Sequence, residues 1–263
     1  MLNAELLSDL MGDVARVMAF DLIDSTNAEA KRIAPDLASE GKLYPAIIVA
    51  KEQTAGRGRM GRSFLSRANR GIFMSLLYFT DQGLSDAVSV TTATAAIVAE
   101  EIEEVCGEPM RIKWVNDIYN ARGKVSGILA ETLPVGKDTF AVIVGIGINT
   151  GTDEFPDELK GIASSIGDIS GKEERLIAGI AKRILLHAAH PESRGYMQAY
   201  RARFMLQGER VDLLQNGERI KSGRVVGVDD DGGLLLIPDG ETNPIIIRSG
   251  EVSVRGHKEN GGF

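Results

Sequence analysis

Lys113-Trp114-Val115-Asn116-Asp117-Ile118-Tyr119-Asn120-Ala121-Arg122-Gly123-Lys124-Val125-Ser126-Gly127-Ile128-Leu129 reads as strand, turn and returning strand. Residues 110–114 form the first strand. Asn120-Ala121-Arg122-Gly123 has the chemistry of a tight turn, which makes the segment a hairpin with Lys124 at the head of its second arm. A lysine at a strand start is ordinarily a surface charge. Here Gly127 follows in the same arm and leaves an open spot where a ligand can press on the backbone. Lys113, Asn116 and Asp117 precede the turn, so two cations, an amide and a carboxylate come within reach of one point.

Outward from the hairpin, strands and helices are interspersed. Residues 16–23 read as a strand and 27–39 as a helix, with Thr26 and Glu29 in the form of a capping box and Thr26 as the N-cap. Pro35 weakens the later half of that helix. Strands are predicted over 46–50, 71–79 and 140–148, the last a nearly continuous apolar run. Helices are predicted over 88–106, where Ala95, Val98, Ile102 and Val105 recur at helical spacing, and over 174–188 and 192–204. From Gly208 onward the character changes. Short β-like segments at 211–214, 219–220, 223–228, 234–237, 245–248 and 252–254 are separated by Asn-Gly, Asp-Gly and Gly-Gly turns, the pattern of a small antiparallel barrel. The reading is an α+β protein with domains at 1–206 and 207–263.

With 263 residues, 43% hydrophobic and 25% charged, the composition is that of an ordinary globular protein. A net charge of -7 argues against a nucleic-acid binder relying on overall positive charge, though it leaves room for a local basic patch. Glu5, Asp9 and Asp13 make the N-terminus acidic, unlike a signal peptide, and no apolar run approaches the roughly 20 residues of a membrane span. A single cysteine, Cys106, excludes an internal disulfide framework, suits a reducing compartment and reads as structural. A cytoplasmic protein is expected. His187, His190 and His257 are not grouped for metal binding, and no Ser-His-Asp pattern is present.

Positive charge collects in a second place, Lys51-Glu52-Gln53-Thr54-Ala55-Gly56-Arg57-Gly58-Arg59-Met60-Gly61-Arg62. Apolar anchors are few before Phe64, so the loop, which runs on through Asn69, is expected to be loose until an anion orders it. Arginine forks suit carboxylate and phosphate oxygens, and glycines let backbone N–H groups approach them. No Lys-Ser/Thr follows the last glycine, so this is not a Walker loop. A solvated basic loop, or an RNA-contacting Arg/Gly segment, is the plainer reading. Gly145-Ile146-Gly147-Ile148-Asn149 puts two glycines and an amide on one face of a strand, for close packing of a helix or for a flat ligand. Ser25-Thr26-Asn27 serves equally as a helix cap or as a grip on a urea-like group.

In order, Ser-Thr-Asn, Gln-x-x-Gly-Arg-Gly-Arg, Lys-Trp-x-Asn-Asp, Gly-Lys-x-x-Gly-Ile-Leu and Gly-x-Gly-x-Asn resemble the biotin–protein ligase family. The resemblance spans most of residues 20–150, and the small C-terminal β-domain fits it too. It implies a class II aminoacyl-tRNA synthetase-like catalytic domain, with a mixed sheet and flanking helices, plus an SH3-like β-barrel. It implies that biotin is activated by ATP to biotinyl-5'-AMP, then transferred to a lysine of a biotin carboxyl carrier domain of a carboxylase, such as acetyl-CoA carboxylase. Mg²⁺ on the phosphates is expected. By motif position, Ser25, Thr26, Asn27, Gln53, Gly56, Arg57, Gly58, Arg59, Lys124, Gly127 and Gly147 would hold biotin. Arg57, Arg59, Arg62, Trp114, Asn116, Lys124 and Asn149 would hold ATP. Lys124, Arg59 and Asp117 would be catalytic, Asp117 steering or deprotonating the incoming lysine.

Two departures stand out. Phe64 occupies the place of a frequent tryptophan, and Val115 replaces a proline, loosening the backbone before Asn116. The residues before Arg16 are too few for the winged helix-turn-helix of some relatives, so no DNA binding is expected. A monomer or homodimer is anticipated. A lipoate or octanoate ligase of the same fold, and a nucleotide- or RNA-binding module, are the alternatives.

Overall fold

The computed structural model describes residues 2–68, 70–81, 87–152, 154–215 and 217–248, and the backbone of 252–256. Asn69 and His257 lie outside these residues.

Among the described residues, twelve strands and five α-helices run in the order α1 (Ala4–Met11), β1 (Arg16–Ile23), α2 (Thr26–Ser39), β2 (Ala46–Gln53), β3 (Gly71–Thr80), α3 (Ala87–Cys106), β4 (Arg111–Lys113), β5 (Asp117–Tyr119), β6 (Lys124–Pro134), β7 (Phe140–Asn149), α4 (Glu173–Ala189), α5 (Tyr196–Arg203), β8 (Arg210–Gln215), β9 (Glu218–Val228), β10 (Leu234–Pro238), β11 (Ile245–Ile247) and β12 (Val252–Gly256). The first seven strands form one mixed sheet in the order β1-β2-β3-β7-β6-β5-β4, with β1 and β2 parallel and the other pairs antiparallel. The last five form an antiparallel sheet ordered β11-β10-β9-β8-β12.

The large sheet is covered on both faces. Ile47 and Val49 of β2 join Val142, Val144, Ile146 and Ile148 of β7 in the main core beneath α1, α3, α4 and α5. The alternate residues Ala46 and Ile48, with Leu77, Ala141 and Ile143, face α2, which presents Ala30 and Ala34. Two fully buried alanines let α2 approach closely. This β7 face changes along the strand. Ala141 and Ile143 lie under α2, Gly145 lies under the first turn of the helix, and Gly147 and Asn149 lie beyond it. The sheet is therefore uncovered by α2 just where its side chains vanish.

Local corrections have identifiable causes. Ser25, not Thr26, caps α2, its Oγ accepting from the Ala28 N–H, because the Thr26 hydroxyl turns inward. The helix runs through Pro35 to Ser39 without a break. Residues 219–220 and 223–228 belong to one strand, β9, bulged opposite β8 and β10. The expected helix over 192–204 begins at Tyr196, since residues 190–195 are spent in turns closed by Ser193 N–H to His190 O and Met197 N–H to Arg194 O. The backbone at Val115 is not loosened: Val115 is fully buried and its carbonyl accepts from the Tyr200 hydroxyl at 3.3 Å.

A Cβ at Gly145 would lie 2.1 Å from Asn27 Oδ1, an atom already held by Ser75. Gly145→Ala should lower unfolding stability by about 1–3 kcal/mol through overpacking. A denaturant midpoint equal to the wild type would show that Asn27 is free to move aside.

Candidate active site

The uncovered part of the sheet is the floor of a cavity of about 490 Å³. Register brings Phe73, Gly147 and Gly127 into one row across β3, β7 and β6, and Ser75, Gly145 and Leu129 into the next. Of the residues expected from sequence, Ser25, Thr26, Asn27, Gln53, Arg57, Gly58, Arg59, Arg62, Trp114, Asn116, Asp117, Lys124, Gly127, Gly147 and Asn149 all line it. Gly56 does not. Its Cβ would strike Phe64 O at 2.5 Å and Ser66 Oγ at 2.6 Å, so it is glycine to close the base of the loop.

The end wall is the first turn of α2. The Thr26 N–H and hydroxyl both donate to Gln53 Oε1, at 2.8 and 3.1 Å. Gln53 Nε2 donates to Ser66 Oγ at 2.8 Å. Ser75, fully buried on β3, donates to Asn27 Oδ1 at 2.5 Å and sits 2.8 Å from Thr26 Oγ1. Asn27 Nδ2 donates to Glu131 Oε2 at 2.9 Å, and Glu131 is held in turn by Lys31 at 2.6 Å. The two readings left open for the glycine strand divide between its glycines. Gly145 admits the packed Asn27 of a helix, whereas Gly147 and Gly127 are faced by the Phe64 ring.

The Arg/Gly loop is not slack. Phe64 N–H donates to Gly56 O, Arg57 bridges Ser63, and Gly58 N–H donates to Arg62 O at 2.7 Å. The result is a small hairpin with a 3-10 turn at Arg59–Gly61, whose Met60 and Gly61 take positive φ of 56° and 71°. Glycine and turn geometry replace the apolar anchors that the loop lacks. Gln53 N–H to Ser66 O pins its root to β2.

On the hairpin side, Lys124 Nζ and Asp117 Oδ1 stand 2.6 Å apart as an ion pair without the alignment of a hydrogen bond. Arg59 Nη1 donates to Asn116 Oδ1 at 3.0 Å, joining the Arg/Gly hairpin, which lies over the cavity as a lid, to this wall, and Asn116 Nδ2 donates to Ile128 O at 3.0 Å. Burial draws the Arg59 pKa down, opposed by Asp117; guanidinium nevertheless stays charged in proteins. Tyr119 also faces the cavity, and burial with Asp117 nearby pushes its phenol up to about 12, so it is a neutral hydroxyl at pH 7.

Sequence reasoning missed Ser75, Glu131 and the whole third wall, formed by Phe155, Leu159, Ile162 and Ala163. That segment is stitched on by Lys124 N–H to Ile162 O, Ser164 N–H to Lys124 O, and Asn149 Nδ2 to Ser164 O. A Cβ at Gly123 would meet Ile162 O at 2.9 Å, the one trace of this wall in the motifs. Ser75 left a fainter signal as a lone hydroxyl inside an apolar strand.

Residues 19–149 match the model of the biotin/lipoate A/B protein ligase family, and residues 207–255 match the biotin protein ligase C terminal domain. The bifunctional ligase/repressor BirA of Bacillus subtilis is 36% identical over 90% of this chain and 72% of its own length. A biotin--[acetyl-CoA-carboxylase] ligase of Paracoccus denitrificans is 32% identical over 81% and 90% respectively. The chain belongs to the biotin protein ligase family. Among solved structures, the biotin protein ligase of Aquifex aeolicus in complex with biotin and ATP superposes with a TM-score of 0.73 at 29% identity, covering 92% of this chain and 99% of that one. In this ligase-family chain the described residues include no helix long and apolar enough to cross a membrane and no cluster of His, Cys, Asp or Glu able to hold a metal.

Ser75→Ala would leave Asn27 Oδ1 and Thr26 Oγ1 without their buried partner. A loss of about 1–3 kcal/mol is expected by equilibrium unfolding, and an unchanged value would mean that water or a rotamer change replaces the serine.

Proposed function

We propose that this cavity condenses biotin with ATP and passes the biotinyl group to a lysine of a biotin carboxyl carrier domain, such as that of acetyl-CoA carboxylase. The observation that carries this reading is the Lys124–Asp117 pair at the edge of a floor that includes Gly127 and Gly147, with Arg59 reaching across to Asn116. Relatives of this chain are named as biotin ligases, and the Aquifex aeolicus relative binds biotin and ATP. The catalytic unit, residues 1–206, is read as class II aminoacyl-tRNA synthetase-like, and residues 207–263 as an SH3-like barrel. A cytoplasmic setting, where carboxylases and ATP meet, completes the reading.

Biotin enters with its ring system toward Ser25, Thr26 and Gln53 and its carboxylate toward Lys124. A carboxylate oxygen attacks the α-phosphorus of ATP, the bond to the β-phosphate oxygen breaks, and pyrophosphate leaves. Both reactants are anions, so the barrier is mainly repulsion and alignment, which fixed cations relieve. Lys124 and Arg59 supply these at the joining atoms, Arg57 and Arg62 flank the lid, and Trp114, Asn116 and Asn149 seat the nucleotide. Asp117, Asn116 and Asn149 would face a Mg²⁺ ion bound with ATP, which would supply neutralisation of phosphate charge; so sparse a protein donor set suits an ion that takes most of its ligands from substrate and water. In the second step the acceptor amine attacks the acyl carbon of the mixed anhydride, AMP leaves, and Asp117 takes the amine proton.

Biotin-dependent ATP–pyrophosphate exchange, with lipoate and octanoate in parallel, tests the reading. Exchange with either of the latter instead of biotin overturns the substrate, and silence from all three removes the ligase function. Lys124→Ala should reduce exchange about a hundredfold or more while the protein stays folded; near-wild-type turnover would take Lys124 out of the mechanism. Arg59→Gly cuts the bond from lid to wall, so it should release biotinyl-AMP and raise labelling of bystander proteins such as serum albumin. Unchanged bystander labelling would show that Arg59 does not retain the intermediate.

A further inference from the structure

The cavity's lining residues all precede the small sheet, yet one of them is bonded to it. The Trp114 indole N–H donates to Gly232 O at 2.8 Å, with Trp114 only 5% exposed. We infer that the turn at residues 229–233 is a positioning element for the active site, acting through the indole of Trp114 on Asn116 and Asp117.

The turn is rigid and anchored. Asp229 Oδ1 accepts from the N–H groups of Asp231 and Gly233 at 3.0 and 2.7 Å, and the Asp229 and Gly233 backbones close on each other at 2.9 Å. Arg201 of α5 holds Val228 O at 3.3 Å and Asp230 at 2.6 Å, and Arg194 holds Asp231 at 3.2 Å. Gly232 has φ +84° and its backbone is pressed on α3, where a Cβ would lie 2.7 Å from Thr92 Cγ2. The carbonyl facing Trp114 is thus fixed from three directions. Asn116, two residues on from Trp114, bonds Arg59, and Asp117 pairs with Lys124. Displacement of the indole is therefore transmitted to the contacts that close the lid and hold the cation, where small misplacements are costly. Thr26 and Gln53 are bonded to each other, and Thr26 also to Ser75 of β3, so the end of the cavity that faces the biotin ring system is held independently of this turn.

The inference rests on the ligase reading for its kinetic arm and not for its optical one, because Trp114 is the single tryptophan of the chain. Trp114→Phe and Asp229→Ala should each raise the KM for ATP about tenfold, with a smaller rise in the KM for biotin, whose carboxylate shares Lys124. The double variant should be no worse than the poorer single, since both remove the same contact. Asp229→Asn keeps the accepting Oδ1, gives up only the exposed pair of Oδ2 with Arg248 at 3.0 Å, and should stay within about twofold of wild-type kinetics. In Asp229→Ala, acrylamide quenching of Trp114 fluorescence should increase. Multiplicative effects, an unaltered KM in Asp229→Ala, or equal damage from Asp229→Asn would overturn the inference. Should Asp229→Ala fail to fold, Arg201→Gln, which releases the turn from α5, carries the same cycle and the same quenching measurement. If the wild type shows no biotin-dependent exchange, the ligase reading fails alone, and increased or unchanged quenching still decides whether the turn holds the indole.

Discussion

The seating of Asn27 in the gap at Gly145 is the contact on which the site depends. A helix N-terminus is normally satisfied by a cap and by water. Here Ser25 supplies the cap while the next two residues turn into the protein, where Ser75, Gln53 and Glu131 complete their hydrogen bonds. Buried polar groups require such full satisfaction, because an unmatched one costs about 1–3 kcal/mol. That network fixes where α2 stops on the sheet. Beyond the stop, Gly147 and Gly127 carry no side chains of their own, and the Phe64 ring and the cavity share the room that results.

The same network runs on into the lid. From Thr26 it passes through Gln53 to Ser66, and Ser66 Oγ donates to Phe64 O. The lid's root and the cavity's end wall are thus parts of one hydrogen-bonded unit, and the Phe64 ring lies against the two floor glycines. At its tip the lid reaches the opposite wall through Arg59 and Asn116. A hairpin held at both ends can carry arginines over a ligand without an apolar core of its own.

Electrostatics follow from placement rather than from totals. The chain carries a net charge of -7, yet Arg57, Arg59, Arg62, Lys113 and Lys124 all line one cavity. Asp117 is the carboxylate among the lining residues, and it pairs with Lys124. Pairing keeps a cation in place at a partly buried position, and it leaves the arginine forks of the lid to face an anion. An acidic exterior and a cationic cavity together favour a small anionic ligand over a long polyanion.

The sequence by itself determined the elements and most of the lining. Alternating apolar strands, helical periodicity and turn residues act over short spans, so β1, α3, β7 and the hairpin at Lys124 were legible with small errors at their ends. Residues whose chemistry is unusual for their local structure were legible too: paired glycines in a strand, arginines in a glycine loop, a lysine beside a tight turn. Tertiary structure decided the rest. Ser75 and Glu131 matter because of which side chains lie opposite them across the sheet. Residues 155–163 form a wall only because the backbone beside Lys124 and the Asn149 amide capture them. Whether Thr26 or Ser25 capped α2 depended on Gln53 and Ser75, and the firmness of Val115 depended on Tyr200, 85 residues away. Local propensity is written in neighbours along the chain, whereas hydrogen-bond satisfaction in the interior is settled by whichever groups the fold brings face to face.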